Sequence, residues 1–247
     1  MKTGHRIWLL VTVPAVLLLV LAGVRQVARA RTFQFFGTLV AATHPRERIV
    51  ALTLDDGPSG TTMADSLIDV LRAHRARATF FVTGGELAAS PEAGAKLVAA
   101  GYELGNHTYT HRRMVLVTPR RIREEVERTD SLLRAAGQRG PIWFRPPFGY
   151  KLIGLPRYLA SAGRTTVMWS IEPDSYRDVA ATPAGIVRHV LDRVRPGSII
   201  ILHPWYPSRH SSRAAIGPLV DSLHGRGYRV ETVGTLLAAS RNAEEVH

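Results

Sequence analysis

The sequence predicts an α/β fold built around a parallel sheet. Short apolar runs alternate with amphipathic helical patterns along most of the 247 residues, which is typical of parallel strands joined by helices. About seven strand-like runs occur, and that number indicates a closed barrel. Three helical patterns begin with an N-capping residue followed by proline, at Ser90-Pro91, Thr118-Pro119 and Thr182-Pro183. A hydrophobic content of 45% is enough for one sizeable core.

The N-terminus is predicted to be a separate unit. Ile7–Val24 is an uncharged apolar run of 18 residues behind a short basic segment, near the lower limit for a helix that spans a bilayer. We therefore expect residues 1–24 to be an uncleaved transmembrane signal anchor. The small-x-small triplet Ala28-Arg29-Ala30 leaves a cleaved signal peptide, and hence secretion, as the alternative. Residues 25–47 are predicted to be a juxtamembrane linker with a short helix around 32–42.

The rest of the chain supplies the elements of the barrel. The first predicted strand covers 48–54, and the others cover 78–82, 103–106, 143–144, 166–169, 198–202 and 229–233. Helices are predicted over 65–74, 91–100, 118–136, 183–194 and 216–225. We expect one folded domain over residues 48–237 and a short tail over 238–247.

Two adjacent carboxylates, Asp55 and Asp56, follow the first of these strands. Gly57 and Pro58 then predict a turn, so the acids lie at the carboxyl end of a strand, where α/β folds place their chemistry. Neighbouring aspartates repel each other unless a cation or a proton separates their roles. An exposed Asp-Asp-Gly-Pro turn without function is the structural alternative.

A pair of histidines, His107 and His111, follows the strand that ends near Gly105. Histidines at i and i+4 share one side of a helical turn and can hold one metal ion. With Asp56 they make a set of two imidazoles and one carboxylate, which leaves metal positions open for water and substrate. Two solvated imidazoles on a surface turn are the alternative for the pair taken alone.

Three further segments place titratable groups after apolar runs. Arg145 lies in a loop that two prolines make rigid, and His203 follows the run Ile199–Leu202. Glu172 and Asp174 follow the apolar run over 165–168. Taken separately, these segments are a proline-rich turn, a core histidine and a solvated acidic loop. A polar group at the end of strand after strand instead indicates one shared site.

Together these segments resemble the motifs of the polysaccharide deacetylases of carbohydrate esterase family 4, the NodB-homology group. The family carries Thr-Phe-Asp-Asp-Gly-Pro, His-Ser/Thr-x-x-His, Arg-x-Pro-Phe/Tyr-Gly, Trp-acidic and Leu-His segments, and their counterparts appear here in the same order between about Arg48 and Leu237. The resemblance implies a distorted (β/α) barrel with a metal site at its carboxyl-end mouth. It also implies a hydrolase that removes N-acetyl groups, or O-acetyl groups, from peptidoglycan, chitin-like oligomers, an exopolysaccharide or acetylated xylan.

The resemblance further implies a role for each site residue. Asp55 would be the general base, oriented by Arg145, and the backbone N–H of Phe148 would help to hold the oxyanion. His203 would protonate the leaving amine. The ligands of a divalent metal, zinc by preference and cobalt as the alternative, would be Asp56, His107 and His111.

The fourth segment departs from the family's pattern. The family often has Trp-x-x-Asp-x-x-Asp-Trp, whereas Trp169–Tyr176 reads Trp-Ser-Ile-Glu-Pro-Asp-Ser-Tyr. Glu172 takes the place of the first acid and is therefore our first choice for the carboxylate that orients His203, with Asp174 as the second. The aromatic pair after His203, Trp205-Tyr206, is either a wall for a sugar ring or a packed loop.

Composition limits the partners. The net charge of +12 comes almost wholly from arginine, since lysine occurs only at positions 2, 96 and 151. A basic surface suits an anionic membrane or an acidic wall polymer, and the interleaved basic–aromatic pattern of nucleic-acid binders is not found. The chain has no cysteine, which excludes disulfides and thiolate metal sites. We expect a membrane-anchored protein whose catalytic domain lies outside the cytoplasm, in the periplasm or on the cell surface. The sequence does not identify protein partners.

Two other functions are compatible with the same fold. The altered fourth segment is what an inactive glycan-binding or scaffolding protein would show, and a barrel of this kind could also hydrolyse small non-sugar amides. The deacetylase is favoured because the polar residues of the other four motifs are all retained, namely Asp55, Asp56, His107, His111, Arg145 and His203.

Overall fold

The computed structural model describes the backbone of residues 2–244 and the side chains of residues 14–243. The helices over these residues are α1 Lys2–Ala28, α2 Thr61–Ala73, α3 Gly84–Ala89, α4 Pro91–Ala99, α5 Pro119–Ala135, α6 Gly154–Ser161, α7 Pro183–Leu191, α8 His210–Gly225 and α9 Val233–Glu244. The strands are β1 Leu39–Val40, β2 Ile49–Asp55, β3 Thr79–Val82, β4 Glu103–Asn106, β5 Thr166–Val167, β6 Ile199–Leu202 and β7 Arg229–Glu231.

The strands pair in parallel around β2. One sheet has the order β4-β3-β2-β6, with β7 also paired to β2, and a second sheet joins β1 to β5. Isolated bridges connect Asn106 to Phe144, Phe144 to Thr166 and Ile171 to Ile200. The predicted α/β class with parallel strands is therefore confirmed. The predicted strand over 143–144 is reduced to one residue, Phe144, which forms two bridges.

The central strand β2 is buried along its whole length. Val50, Leu52 and Leu54 pack in the larger core cluster, which includes residues of α2, α4 and α8. Ile49 and Ala51, on the other face, pack in a second cluster with residues of β6. A strand that is covered on both faces reads as a continuous apolar run, which is why this strand was identifiable from the sequence. Because side chains alternate along a strand, Asp55 lies on the face of Ile49 and Ala51.

The segment after the N-terminal helix differs from the prediction. The expected short helix around 32–42 is wrong, because residues 39–40 form β1 and pair with β5. The N–H of Thr166 donates to the carbonyl of Thr38, and that of Met168 donates to Val40, so strand pairing uses the backbone groups that a helix would need. Gly37 has a φ of +73°, a left-handed backbone conformation that would end a helix just before the strand.

The predicted anchor over residues 1–24 lies partly outside the described side chains. Within the portion of the chain that can be assessed, no helix has the length and apolar character needed to cross a bilayer. At the other end, α9 extends through most of the predicted tail, and residues 245–247 lie outside the described residues. The sequence did not predict α3, α6 or α9, and α8 begins six residues before its predicted start at 216.

Candidate active site

Asp55 and Arg145 form a buried ion pair at the carboxyl end of β2. Arg145 is fully buried, and its Nη1 donates to Asp55 Oδ1 at 2.5 Å and to Thr53 Oγ1 at 2.8 Å. Its Nε and Nη2 donate to the carbonyls of Val167 and Met168, both at 3.0 Å. Four hydrogen bonds therefore fix the guanidinium, which makes burial of its charge tolerable. Burial raises the pKa of Asp55 to about 6, although the charge of Arg145 opposes the rise, so Asp55 is ionised at neutral pH.

Asp56, His107 and His111 come together as the sequence predicts, and their ligand atoms lie within 4.8 Å of one another. We call these three residues the metal set. His111 Nε2 is 3.2 Å from Asp56 Oδ1 and 3.2 Å from His107 Nε2. His107 Nδ1 is 2.8 Å from the carbonyl oxygen of Arg145. The proton of this ring is therefore assigned to Nδ1, which leaves the Nε2 lone pair directed at the other two residues.

The protonation and pairing of the metal set fit a divalent cation. Burial and the neighbouring His111 lower the pKa of His107 well below its ordinary value, and burial also lowers the pKa of His111. Both imidazoles are therefore neutral, as metal ligation requires. Asp56 Oδ1 is buried and has no hydrogen-bond partner among the described residues. Two neutral imidazoles that converge on an unpaired carboxylate oxygen form a donor set suited to zinc.

The loop that carries the histidine pair is not the helical turn that the i, i+4 spacing predicts. Thr108 and His111 have φ values of +65° and +54°, so residues 107–111 follow an irregular path. The N–H of Thr108 donates to Asn106 Oδ1 at 2.8 Å. Side-chain acceptors therefore hold the loop in place of the backbone hydrogen bonds of a helix.

Glu125 on α5 is the main acceptor for this loop, and sequence analysis did not identify it. Its Oε2 accepts the N–H groups of Tyr109 and Thr110 at 2.9 and 2.7 Å, and its Oε1 accepts the Thr110 hydroxyl at 2.6 Å. The carboxylate is 1% exposed, and Arg121 Nη2 lies 2.9 Å from it. The available signal was a charged residue on the apolar stripe of α5, beside Val126.

His203 follows β6 and is paired with Asp174. His203 Nδ1 lies 3.0 Å from Asp174 Oδ1, and Asp174 Oδ2 accepts the N–H of His203 at 2.6 Å and the Ser212 hydroxyl at 2.8 Å. Burial alone would lower the pKa of His203, but the hydrogen bond and charge of Asp174 outweigh it and raise that pKa to about 9. His203 is therefore a cation at neutral pH.

Our first choice of Glu172 as the partner of His203 is wrong. Glu172 Oε2 accepts from the indole Nε1 of Trp169 at 2.9 Å, and its Oε1 accepts from the Ser175 hydroxyl at 2.7 Å. Both oxygens of Glu172 thus have partners within its own segment. The second choice, Asp174, is buried and directed at His203, where Ser212 on α8 completes its hydrogen bonds.

Phe148 and a groove complete the site at the carboxyl ends of the strands, which we call the mouth. Phe148 has a φ of +56°, and its half-exposed ring lies 4.7 Å from the ring of His111. A groove of about 380 Å³ runs from the metal set and is also lined by Thr83, Glu86 and Tyr206. Tyr206 faces this groove and donates its hydroxyl to Glu86.

Trp205 is 1% exposed, so the packed-loop alternative holds for this residue. Its ring lies against Phe80, with 5.7 Å between ring centroids. A Cβ on Gly57, whose φ is +63°, would come within 2.4 Å of the indole of Trp205. The turn after Asp56 therefore needs glycine.

Comparison with known proteins identifies the class. Residues 42–167 match the family model described as polysaccharide deacetylase. The chain is 36% identical over 202 residues to a chitooligosaccharide deacetylase of Bradyrhizobium sp. (strain ANU 289), which covers 76% of this chain and 90% of the relative. It is 31% identical over 191 residues to a peptidoglycan-N-acetylglucosamine deacetylase of Bacillus cereus, which covers 77% and 89%.

The solved structures agree with these relatives. A carbohydrate esterase family 4 pseudoenzyme from Bacillus anthracis superposes with a TM-score of 0.71 at 26% identity, over 80% of this chain and 68% of that chain. The fold and the matches together define a carbohydrate-directed hydrolase. The chain belongs to the polysaccharide deacetylase family.

Proposed function

We propose that this chain is a metal-dependent hydrolase that removes N-acetyl groups from a polymer of amino sugars. The carrying observation is that three groups meet at one mouth: the Asp55–Arg145 pair, the metal set and the His203–Asp174 pair. Asp55 ends β2, and Asp56, His107 and His203 directly follow β2, β4 and β6, at the strand ends where parallel folds place their sites. Chitin-like oligomers and peptidoglycan are the first substrates to test, because the relatives are named for them.

Asp55 is the general base in the first half of the reaction, the attack of water on the acetyl carbonyl. Asp56, His107 and His111 would hold a divalent cation, which would polarise the acetyl carbonyl and make a water molecule more acidic. Asp55 accepts a proton from the attacking water, and Arg145 holds the carboxylate in its ionised form with the correct orientation. The backbone N–H of Phe148, in a left-handed conformation at the rim, is our candidate donor to the oxyanion.

His203 is the general acid in the second half of the reaction, the departure of the amine. The new carbon–oxygen bond is complete at this stage, and the carbon–nitrogen bond breaks as the nitrogen takes a proton from His203 Nε2. Asp174 holds the other ring nitrogen, so the imidazole keeps its orientation and its charge until the transfer. Acetate and a free amine on the sugar are the products.

The finer form of the fold and the location of the protein are part of the same proposal. The bridges through Phe144 and Ile171 support a closed, distorted barrel over the predicted domain of residues 48–237. The apolar run Ile7–Val24 supports a membrane anchor with the catalytic domain outside the cytoplasm, where wall polymers occur. Cell fractionation, followed by protease treatment of intact cells, tests this location. A catalytic domain that stays protected until the cells are lysed would contradict it.

The decisive experiment is acetate release from a panel of polymers by the purified, zinc-loaded protein. The panel contains chitin oligomers, peptidoglycan, an N-acetylated exopolysaccharide and O-acetylated xylan, and Asp55→Asn is the control for background hydrolysis. We expect release from an N-acetylated polymer. Glycan binding without acetate release would favour the inactive binding protein, an alternative that the pseudoenzyme neighbour keeps relevant. Hydrolysis of small amides alone would favour the non-sugar amidase.

A further inference from the structure

The carboxyl end of α1 lies against the loop that carries Arg145 and Phe148. The N–H of Lys151 donates to the carbonyl of Ala28 at 2.8 Å, and Lys151 Nζ donates to the carbonyl of Ala30. Lys151 and Ala28 are each 2% exposed. The last carbonyls of a helix lack intrahelical partners and carry partial negative charge. A buried ammonium group is the complement of such a helix end.

Two more contacts extend this junction to other residues at the mouth. The guanidinium of Arg29 lies 5.5 Å from the centroid of the Tyr150 ring, next to Lys151. The guanidinium of Arg31 lies 5.4 Å from the Trp169 ring and 3.6 Å from Glu172 Oε2. Residues 25–31, which we call the clasp, therefore contact both the arginine loop and the acidic segment that leads to Asp174.

We infer that Lys151 is a positioning residue for the deacetylase reaction, because it joins the clasp to the loop that places Arg145 and Phe148. This inference rests on the proposed function. The N–H groups of Gly149 and Tyr150 donate to the carbonyls of Pro146 and Pro147, both at 3.0 Å, which ties the residues beside Lys151 to the stretch on the other side of Phe148. A shift at Lys151 therefore displaces the backbone of Phe148 as well. Phe148 has a left-handed backbone, a conformation that persists only where the surroundings enforce it.

The clasp gives the N-terminal helix a part in the site. Cleavage after Ala30 would release the carbonyls of Ala28 and Ala30 together with the side chain of Arg29. Lys151 would then lose both of its contacts with the clasp. The structure therefore favours a form of the protein in which α1 is not cleaved from the catalytic domain.

The test uses the full-length chain in detergent, with Lys151→Met compared to Lys96→Met. Lys96 is the control because its ammonium is exposed and pairs with Asp65 at 2.6 Å, away from the mouth. We expect kcat for acetate release to fall on the order of 10- to 100-fold in Lys151→Met, with KM and bound zinc unchanged, because small displacements of catalytic groups cost this much. The Lys96 variant should keep the wild-type kcat.

Hydrogen–deuterium exchange supplies the second readout. We expect faster exchange over 145–151 in Lys151→Met and no change over this loop in Lys96→Met. If Lys151→Met does not fold, the double substitution Arg29→Ala with Arg31→Gln, both at exposed or partly exposed positions, should give the same changes with smaller size.

Wild-type kcat in a folded Lys151→Met protein would overturn the positioning role, and so would loss of zinc in that variant. If the wild type released no acetate from any polymer, the proposed function would fail. The exchange measurement would then still decide whether the clasp orders the loop, since unchanged exchange over 145–151 would overturn that contact.

Discussion

Replacement of Asp174 by asparagine should move the alkaline limb of the pH–rate profile to lower pH. The acid must be protonated when the amine leaves, so the limb follows the pKa of His203. Burial lowers that pKa, but the hydrogen bond and charge of Asp174, with smaller contributions from Asp55 and Asp56, raise it from 6.5 to about 9. Without the carboxylate, burial remains the largest influence, and we expect the pKa to return to 6.5 or below.

The size of the effect follows from these two values. At pH 8, a group with a pKa of 9 is mostly protonated, whereas one with a pKa of 6.5 is mostly neutral, so the variant should lose about 30-fold in kcat/KM at this pH. Near pH 6 the two proteins should differ much less. The difference between the two pKa values corresponds to about 3 kcal/mol of interaction that favours the imidazolium form.

The same pair links stability to pH. Because the folded pKa of His203 lies above its unfolded value, its contribution to stability is full below pH 6.5 and is lost as pH rises through about 9. Urea unfolding at pH 6 and pH 10 should therefore show a loss in the wild type, by about 3 kcal/mol at most, that is much smaller in Asp174→Asn.

The assay is kcat/KM for acetate release between pH 5 and pH 10, with zinc content measured in every sample. Glu172→Gln is the matched control, because Glu172 is bonded to Trp169 and Ser175 and should leave the limb in place. If the alkaline limb of the pH–rate profile were unchanged in Asp174→Asn, Asp174 would not set the pKa of the catalytic acid. A shifted limb in Glu172→Gln alone would give the role back to Glu172.

The remaining predictions concern the metal set and its support. Chelation should abolish acetate release, and zinc or cobalt should restore it; full activity in a verified metal-free preparation would contradict this. His107→Ala should bind zinc poorly, because only two ligands remain. Asp55→Asn should keep its zinc and lose on the order of 10²–10⁴-fold in turnover, whereas Asp56→Asn should lose zinc; equal zinc loss in both variants would refute this division of roles. Glu125→Gln should weaken zinc binding on the order of 10- to 100-fold in a chelator competition, since Glu125 holds the loop that carries the histidine ligands. Glu124→Gln, at the exposed neighbouring position, should leave zinc affinity unchanged, and equal affinity in the two variants would show that Glu125 does not support the loop.

The parts of the fold and site that the sequence predicted depend on local pattern. A strand buried on both faces must be a continuous apolar run, so β2 and β6 were visible with nearly correct ends. Parallel strands end at the same edge of a sheet, so the polar residues after β2, β4 and β6 could be expected to meet. The pairing of Asp55 with Arg145 and the grouping of the metal set followed from that rule and from the family resemblance.

The parts that were wrong depend on contacts between distant residues. The loop over 107–111 is irregular because Glu125, on a separate helix, accepts its N–H groups, and nothing within the loop indicates that. Residues 39–40, within the segment predicted as a helix, form a strand because β5 pairs with them, although the two are far apart in sequence. The choice between two acids in one segment depended on which of them Ser212 and His203 could reach.

The protonation states of the mouth argue against an inactive scaffold. Asp55 has a pKa of about 6 and His203 a pKa of about 9, so between these values the base is ionised and the acid is protonated before substrate arrives. Cation binding by the adjacent metal set would lower the pKa of Asp55 further and widen this window towards acid pH. Burial of Asp55, Arg145 and the His203–Asp174 pair costs desolvation free energy, and a protein that only bound glycans could replace them with apolar residues without loss. A site that keeps buried charges in these complementary states is arranged for proton transfer.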